Sequence, residues 1–523
     1  MQAASLQLLA RFKDAPDWVT GIAIALAIVP LSLLYLRGSM RLYKDFPMMA
    51  LVEDGLDPKE SWFQKGPKTI QEGLRRYRGR PFQVMTGTGP KLVLPHRFAE
   101  ELKTNENLSH NGAFAKDFFV GYPGFGPIAD SLIPELIRTK ITPALGLITD
   151  DLVDETTAAI QDILGENTEW HEVSIKQDVL KLVTRLSSRL SLGLPKCRDD
   201  RWLEITKDYT VHLFASAREL RQVPSLLRPF VHWFLPESTR LRRDYQDAQT
   251  FITPEVELRK VRARKALEAG EKASKTADVI GWMYELATEK GQKVNYVDGL
   301  LEIGLASIHT STEAITSALL SIVAHPEILQ PLRDEVISII GSEGWSRQTL
   351  YKMRLMDSFL KENQRCHPPN AISMNRLVTK DIKLSDGSLL KPGTRFIIPN
   401  VYTDPEIYAN PEEFDPYRFL RKREKPGQTN SWQHVSLSSS HMAFGYGNHA
   451  CPGRFFASTE IKIAIAYLLL KYDWIPTTGD EQPGTLVFET NTLVRPTAKL
   501  MVKRRKEEVA LDCYGARQGF EHI

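Results

Sequence analysis

Along this chain, apolar and polar positions alternate with the period of a helix far more often than with that of a strand. Between 147 and 194, Val179, Leu182, Val183, Leu186 and Leu190 recur at the spacing of one buried helix face. A longer helical pattern fills Tyr296–Ala324 and stops at His325-Pro326; at 1.5 Å per residue it reaches ~40 Å, enough to cross a domain. A third apolar run, FFASTEIKIAIAYLLLKY, follows Pro452, which is predicted to open the helix. Strand alternation is confined to two places. PFQVMTGTGPKLVLP (81–95) reads as two strands around a Gly-rich turn, and 372–400 is strand-rich with turns at Asp386-Gly387 and Pro392-Gly393. The charged run ELRKVRARKALEAGEKASK reads as a solvated helix and a polar connection. Residues 111–131 mix aromatics with Gly and Pro and read as a loop, either a pocket wall or plain surface. With no internal repeat and no low-complexity linker, the pattern predicts one large, mainly α domain with small β-sheets.

One apolar segment stands apart. Residues 18–36, WVTGIAIALAIVPLSLLYL, carry no charge and match the ~20 residues a helix needs to span hydrocarbon. A cleaved signal peptide would be shorter and end in a small-residue site, so a transmembrane anchor is expected, with Pro30 tolerated within it. Arg37, Arg41 and Lys44 follow the segment and Arg11 and Lys13 precede it, a slight bias toward a cytosolic body. With 42% hydrophobic and 25% charged residues the composition is that of an ordinary globular protein, and a net charge of +3 gives no reason to invoke nucleic acid. Four cysteines, Cys197, Cys366, Cys451 and Cys513, form no metal-ligand spacing and imply a reducing compartment without a disulfide framework.

The candidate chemistry concentrates in FGYGNHACPG, 444–453. A turn held by Gly445 and Gly447 delivers Cys451 to the start of the last long helix, where backbone amides favour an anionic sulfur. A lone sheltered thiolate suits haem iron, pushing electron density toward O–O cleavage; the competing reading is a buried core cysteine. The spacing of Phe444, Gly447, His449, Cys451 and Gly453 closely resembles the haem-binding signature of the cytochrome P-450 family. The stretches FGYGNHACPGRFFA and PKCRDDRWLEITKDYT are similar to its fungal members, the ent-kaurene oxidase-like group among them.

That resemblance implies the cytochrome P-450 fold and haem b with Cys451 as axial thiolate, Phe444 packed near the haem, and His449 on a propionate where arginine is commoner. Ala306-Ser307-Ile308-His309-Thr310-Ser311 resembles the family's oxygen-binding motif, with Thr310 at the threonine and His309 at the usual acid. A hydroxyl there relays protons; His309 either carries them itself or is structural. Glu362 and Arg365 in LKENQR share a helix face, in isolation no more than a surface ion pair. They resemble the ExxR motif, with Arg418 of FDPYRF as the third member of a buried structural network. Arg138 sits where a WxxxR motif places a propionate-binding arginine, although Pro134 replaces the tryptophan, and Arg376 matches a second such position. FETNTLVRP, 488–496, resembles the last turn that enters the substrate pocket.

The implied protein is a membrane-bound fungal monooxygenase. It takes O2, and electrons from NADPH through a separate NADPH-cytochrome reductase, to oxidise a large apolar small-molecule substrate. A terpenoid is favoured over a polyketide or alkaloid. An oxygen-independent isomerase or dehydratase would not need Thr310, and a non-catalytic haem sensor would need neither the hydroxyl-rich helix nor an electron supply. The implied location is the endoplasmic reticulum membrane with a cytosolic catalytic domain over 61–507, after a linker (37–60) and before a tail (508–523). Arg454 and the run Arg421-Lys422-Arg423 are expected to help dock the reductase. Because His449 and His309 stand where charged residues are usual, haem binding and proton delivery are expected to be acid-sensitive.

Overall fold

The computed structural model describes residues 43–126, 132–269, 277–477 and 484–511. It is built around α7, Tyr296–Ala324, whose bounds match the sequence pattern; Asn295 caps its start and the chain leaves it at His325. Of the elements that surround it, α1 is Pro58–Tyr77 and α2 His110–Asp117. Then come α3 (Leu145–Leu164), α4 (Ile175–Leu192), α5 (Asp200–Gln222) and α6 (Pro236–Glu268). Beyond α7 lie α8 (Arg354–Cys366) and α9 (Arg454–Lys471). Helices α4, α5, α6, α8 and α9 all pack on α7. This explains the composition of α9: it is enclosed, with 15 of its residues buried, so it needs no polar face. It also explains Gly304, where a Cβ would lie 2.5 Å from Thr206 Oγ1 of α5. The α4 positions Val179, Leu182, Val183, Leu186 and Leu190 are all buried.

The main sheet has five strands in the order β1 (Phe82–Thr86), β2 (Gly89–Val93), β4 (Arg395–Pro399), β3 (Ile372–Val378), Leu108–Ser109. Only β2 and β4 run parallel, with Leu92 opposite Phe396 and Val93 opposite Ile397. β4 is buried along its whole length. The register of β3 against β4 shifts between Ser373 and Arg376, and buried Met374 takes a φ of +48° there. A bulge of this kind redirects side chains, and it presents Asn375 and Arg376 to the region described below. The hairpin Thr485–Phe488 with Asn491–Val494 lies near α7, because Glu313 Oε1 accepts from the Val494 amide at 2.5 Å.

Three expectations are corrected. Within 111–131, α2 is a helix rather than a loop: the Ser109 side chain caps Gly112, and the early Asn and Gly had hidden the helical start. Pro452 does not open α9, which begins at Arg454 with Gly453 as its N-cap; Pro452 and Gly453 form the turn that leads out of the cysteine loop. The expected tail does not leave the body at 508, since Trp345 Nε1 and Tyr467 Oη both donate to the Leu511 carbonyl at 3.1 Å. The expected anchor (18–36) and Cys513 lie outside the described residues. Among those described, no helix is long and apolar enough to cross a membrane.

Candidate functional site

The cysteine loop is shaped by its backbone. Gly445 and Gly447 have φ of 73° and 70°, the left-handed region that glycine enters freely. At Gly447 the chain passes so near Lys103 that a Cβ would lie 1.8 Å from its carbonyl oxygen, and the Asn448 amide donates to that same oxygen at 2.9 Å. The Cys451 amide closes the loop onto the Phe444 carbonyl at 2.7 Å, and the Phe444 ring meets buried His434 edge-on. Burial pushes the Cys451 thiol up from its ordinary pKa; the Gly453 and Arg454 amides and the Arg454 charge work the other way. Neither an imidazole nor a carboxylate is bonded to the sulfur among the described residues. It therefore lacks the base of a nucleophilic cysteine and has the amide-lined setting of a thiolate ligand.

Beside this loop, guanidinium and imidazole groups converge with no ion-pair partner among the described residues. Arg376, 3% exposed, donates to the Asn375 carbonyl at 3.0 Å and lies 3.5 Å from His110 Nδ1. The His110 and His449 rings are 6.3 Å apart, and His449 Nε2 is 3.1 Å from the Leu108 carbonyl. Burial alone pushes the Arg376 guanidinium down to about 10. Burial and the Arg376 charge push His110 down to about 4 and lower His449, which also feels Arg138. Arg138 sits on a π-helical turn, Ile137–Ile141, with its side chain exposed. None of these four residues makes an ion pair among the described residues. A buried guanidinium left without an anion is costly, so this donor set fits a ligand bearing carboxylates, as the two propionates of haem would. The sequence reading had missed His110, which no motif marks. It is brought to Arg376 because Ser109 pairs with Leu377 across the sheet edge.

On α7, Ala306 and Thr310 are exposed although the residues around them are mostly buried, so open space lies against the middle of the central helix. The Thr310 hydroxyl donates to the Ala306 carbonyl at 2.7 Å, which leaves its lone pairs free to accept a proton from that space. His309 is turned elsewhere: its Nε2 lies 3.4 Å from the Lys207 carbonyl of α5, and burial lowers its pKa. The two motif residues are thus neighbours in the chain without being hydrogen-bonded to each other.

Glu362, fully buried, accepts through Oε1 from Arg365 Nη2 (2.8 Å), Arg418 Nε (3.0 Å) and the Asp415 amide (3.0 Å), and through Oε2 from Arg365 Nε (2.9 Å). The arginines spend their other donors on carbonyls: Arg365 on Tyr402, Pro411 and Glu413, Arg418 on Ala409, Asn410 and Glu413. The motif read from the sequence is therefore one knot that ties α8 to the 402–418 loop. The basic run 421–423, expected as a docking surface, is mostly engaged. Arg421 pairs with Asp415, Lys422 sits over the Tyr408, Phe419 and Trp432 rings, and Arg423 is buried against Asp357 at 2.9 Å. Arg454 donates to the Cys451 carbonyl at 2.9 Å and lines a cleft of about 480 Å³ with Lys361, Trp432 and Phe455.

Comparison with known proteins agrees with this geometry. The family description "Cytochrome P450" matches residues 135–504. The chain is 40% identical to cytochrome P450 monooxygenase 1 of Gibberella fujikuroi, over 83% of this chain and 99% of that one. It is 38% identical to cytochrome P450 monooxygenase bsc11 of Alternaria brassicicola, over 87% and 89% of the two chains. It is 37% identical to cytochrome P450 monooxygenase trt6 of Aspergillus terreus, over 87% and 93%. With 370 consecutive residues inside the family match (135–504), and the Cys451 loop, the Glu362 knot and the threonine of the central helix all within it, the chain belongs to the cytochrome P450 family.

Proposed function

We propose that this protein is a haem-thiolate monooxygenase that inserts one atom of O2 into a C–H bond of a large apolar molecule, a terpenoid being the class that fits best. The observation that carries the reading is the pairing of a sheltered sulfur, with no base bonded to it among the described residues, with a donor cluster of Arg376, His110, His449 and Arg138 that has no ion-pair partner among them. These residues suit the iron ligand and the propionates of one group. When bound, haem supplies the oxygen activation and the oxidising power.

This chain's own residues do the rest. The Cys451 loop holds the sulfur and shields it with amides. The Thr310 hydroxyl, anchored on the Ala306 carbonyl, offers a lone pair to a donor in the cavity, and it delivers a proton there by turning its O–H off that carbonyl and taking up a replacement proton from the same side. His309, its pKa lowered by burial, bridges to α5 through the Lys207 carbonyl and serves structure rather than proton delivery. Glu313 pins the 485–494 hairpin to α7. Electrons come from NADPH through a separate reductase, for which Arg454 is the best-placed cation of those first considered. Residues 18–36 anchor the body to the endoplasmic reticulum membrane.

The test is spectroscopic. The reduced, carbon-monoxide-treated full chain gives a thiolate-type Soret band, and Cys451→Ser abolishes it. Thr310→Ala keeps the band while the share of reducing equivalents recovered in organic product falls. An intact thiolate-type band in Cys451→Ser would sink the assignment of the sulfur, and full haem content in an Arg376→Ala variant would sink that of the cluster.

A further inference from the structure

The face of α7 that carries exposed Ala306 and Thr310 continues to a third, partly buried residue. Glu302, Ala306 and Thr310 follow one another at four-residue intervals, which stacks them on one helix face. Glu302 thus stands two turns from Thr310, about 12 Å along the axis. It is partly buried in the middle of a helix, and among the described residues no hydrogen bond or ion pair reaches its carboxyl. The charge that acts on its carboxyl is that of another acid, Asp298, one turn away. Asp298 is satisfied, accepting from the Tyr245 hydroxyl at 2.6 Å; Glu302 is not. Burial and Asp298 together push the Glu302 carboxyl up to about 7. A partly buried carboxyl without a partner is costly, and neither helix propensity nor packing calls for one there. Leucine would serve both better.

We propose that Glu302 is a specificity-determining residue that hydrogen-bonds a hydroxyl group of the substrate, about 12 Å along the helix from the point of oxidation. The proposal rests on the monooxygenase reading, and it narrows the substrate from an apolar skeleton to one that already carries an oxygen function. A hydroxyl-installing reaction, either a cyclisation quenched by water or an earlier oxygenation, must then precede this one. A bare hydrocarbon leaves Glu302 unpaired and is discriminated against, because a site built for a polar group rejects the analogue that lacks it.

The experiment uses the haem-loaded full chain titrated with matched pairs of a diterpene hydrocarbon and its mono-alcohol, following the displacement of the Soret band on binding. The wild type is expected to bind one alcohol about tenfold tighter than its hydrocarbon, the size of one net hydrogen bond. Glu302→Leu should bring the ratio to about one, chiefly by admitting the hydrocarbon more tightly, and Glu302→Gln, which still accepts from a hydroxyl, should keep most of the preference. In thermal unfolding, Glu302→Leu should melt at or above the wild-type temperature, since it removes a partly buried carboxyl that has no partner among the described residues. A preference that survives in Glu302→Leu, equal binding of both partners by the wild type, or a large fall in melting temperature would overturn the assignment of Glu302 and leave the monooxygenase reading standing. If no pair shifts the band at all, the terpenoid reading falls and this proposal with it.

Discussion

Replacing Glu362 by glutamine takes the charge out of the best-defined polar knot in the protein. The side chains of Glu362 and Arg365 are 0% and 1% exposed and that of Arg418 is 9%, so water cannot replace what is lost. Glutamine keeps one acceptor oxygen and turns an amide toward donors: Arg365, Arg418 and the Asp415 amide all compete for the remaining lone pairs. Removing one member of a buried ion pair costs ~3–5 kcal/mol, mostly for the charge left unpaired. Total stabilities of ~5–15 kcal/mol are typical, so this single substitution takes a large fraction of the whole. The loss should be of folded protein and not of chemistry, because the knot ties α8 to the 402–418 loop and does not touch the Thr310 face. The assay compares haem-loaded protein recovered per unit of expressed chain, from the reduced carbon monoxide spectrum, with activity per haem in whatever survives. Recovery should collapse in Glu362→Gln while activity per surviving haem stays near wild type. Normal recovery with a melting temperature unchanged would refute the reasoning, as would full recovery with activity selectively lost.

Two further outcomes are expected. Glu460 is fully buried with Oε2 unpartnered, and burial pushes its carboxyl up to about 7. Between pH 4.5 and 7 the unfolded chain gives up this proton while the folded one keeps it, so the wild type loses stability as pH rises through that window. Glu460→Gln should flatten that slope, and parallel melting curves for the two proteins from pH 5 to 8 would refute it. On the basic run, charge reversal at Arg421 should leave haem content intact, whereas Arg423→Glu, which sets a carboxylate against buried Asp357, should abolish folding. Equal recovery of the two variants would show that Arg423 is not buried as described.

What could be read in the sequence was whatever depends on spacing within one element or one loop. The bounds of α7 follow from its apolar period and His325-Pro326; Cys451, and Glu362 with Arg365, stand out through the motifs in which they resemble the cytochrome P450 family, since a lone cysteine and a helix pair three apart would alone read as core and surface. Everything that depends on who stands opposite had to wait for the tertiary structure. Arg376 meets His110 across 266 residues, and only their convergence shows a buried guanidinium, set among neutral imidazoles, that has no anion among the described residues. His309 proves to be turned toward α5, and Arg423 proves to be buried, because the Lys207 carbonyl and Asp357 come from other elements. Pro452 and Gly453 belong to the cysteine loop's exit rather than to the helix it was expected to open. Glu302 carries no mark in the sequence that separates it from a solvated helix acid. That its carboxyl has found no partner is a property of the packed molecule, since satisfaction of a polar group is decided by neighbours that only folding assembles.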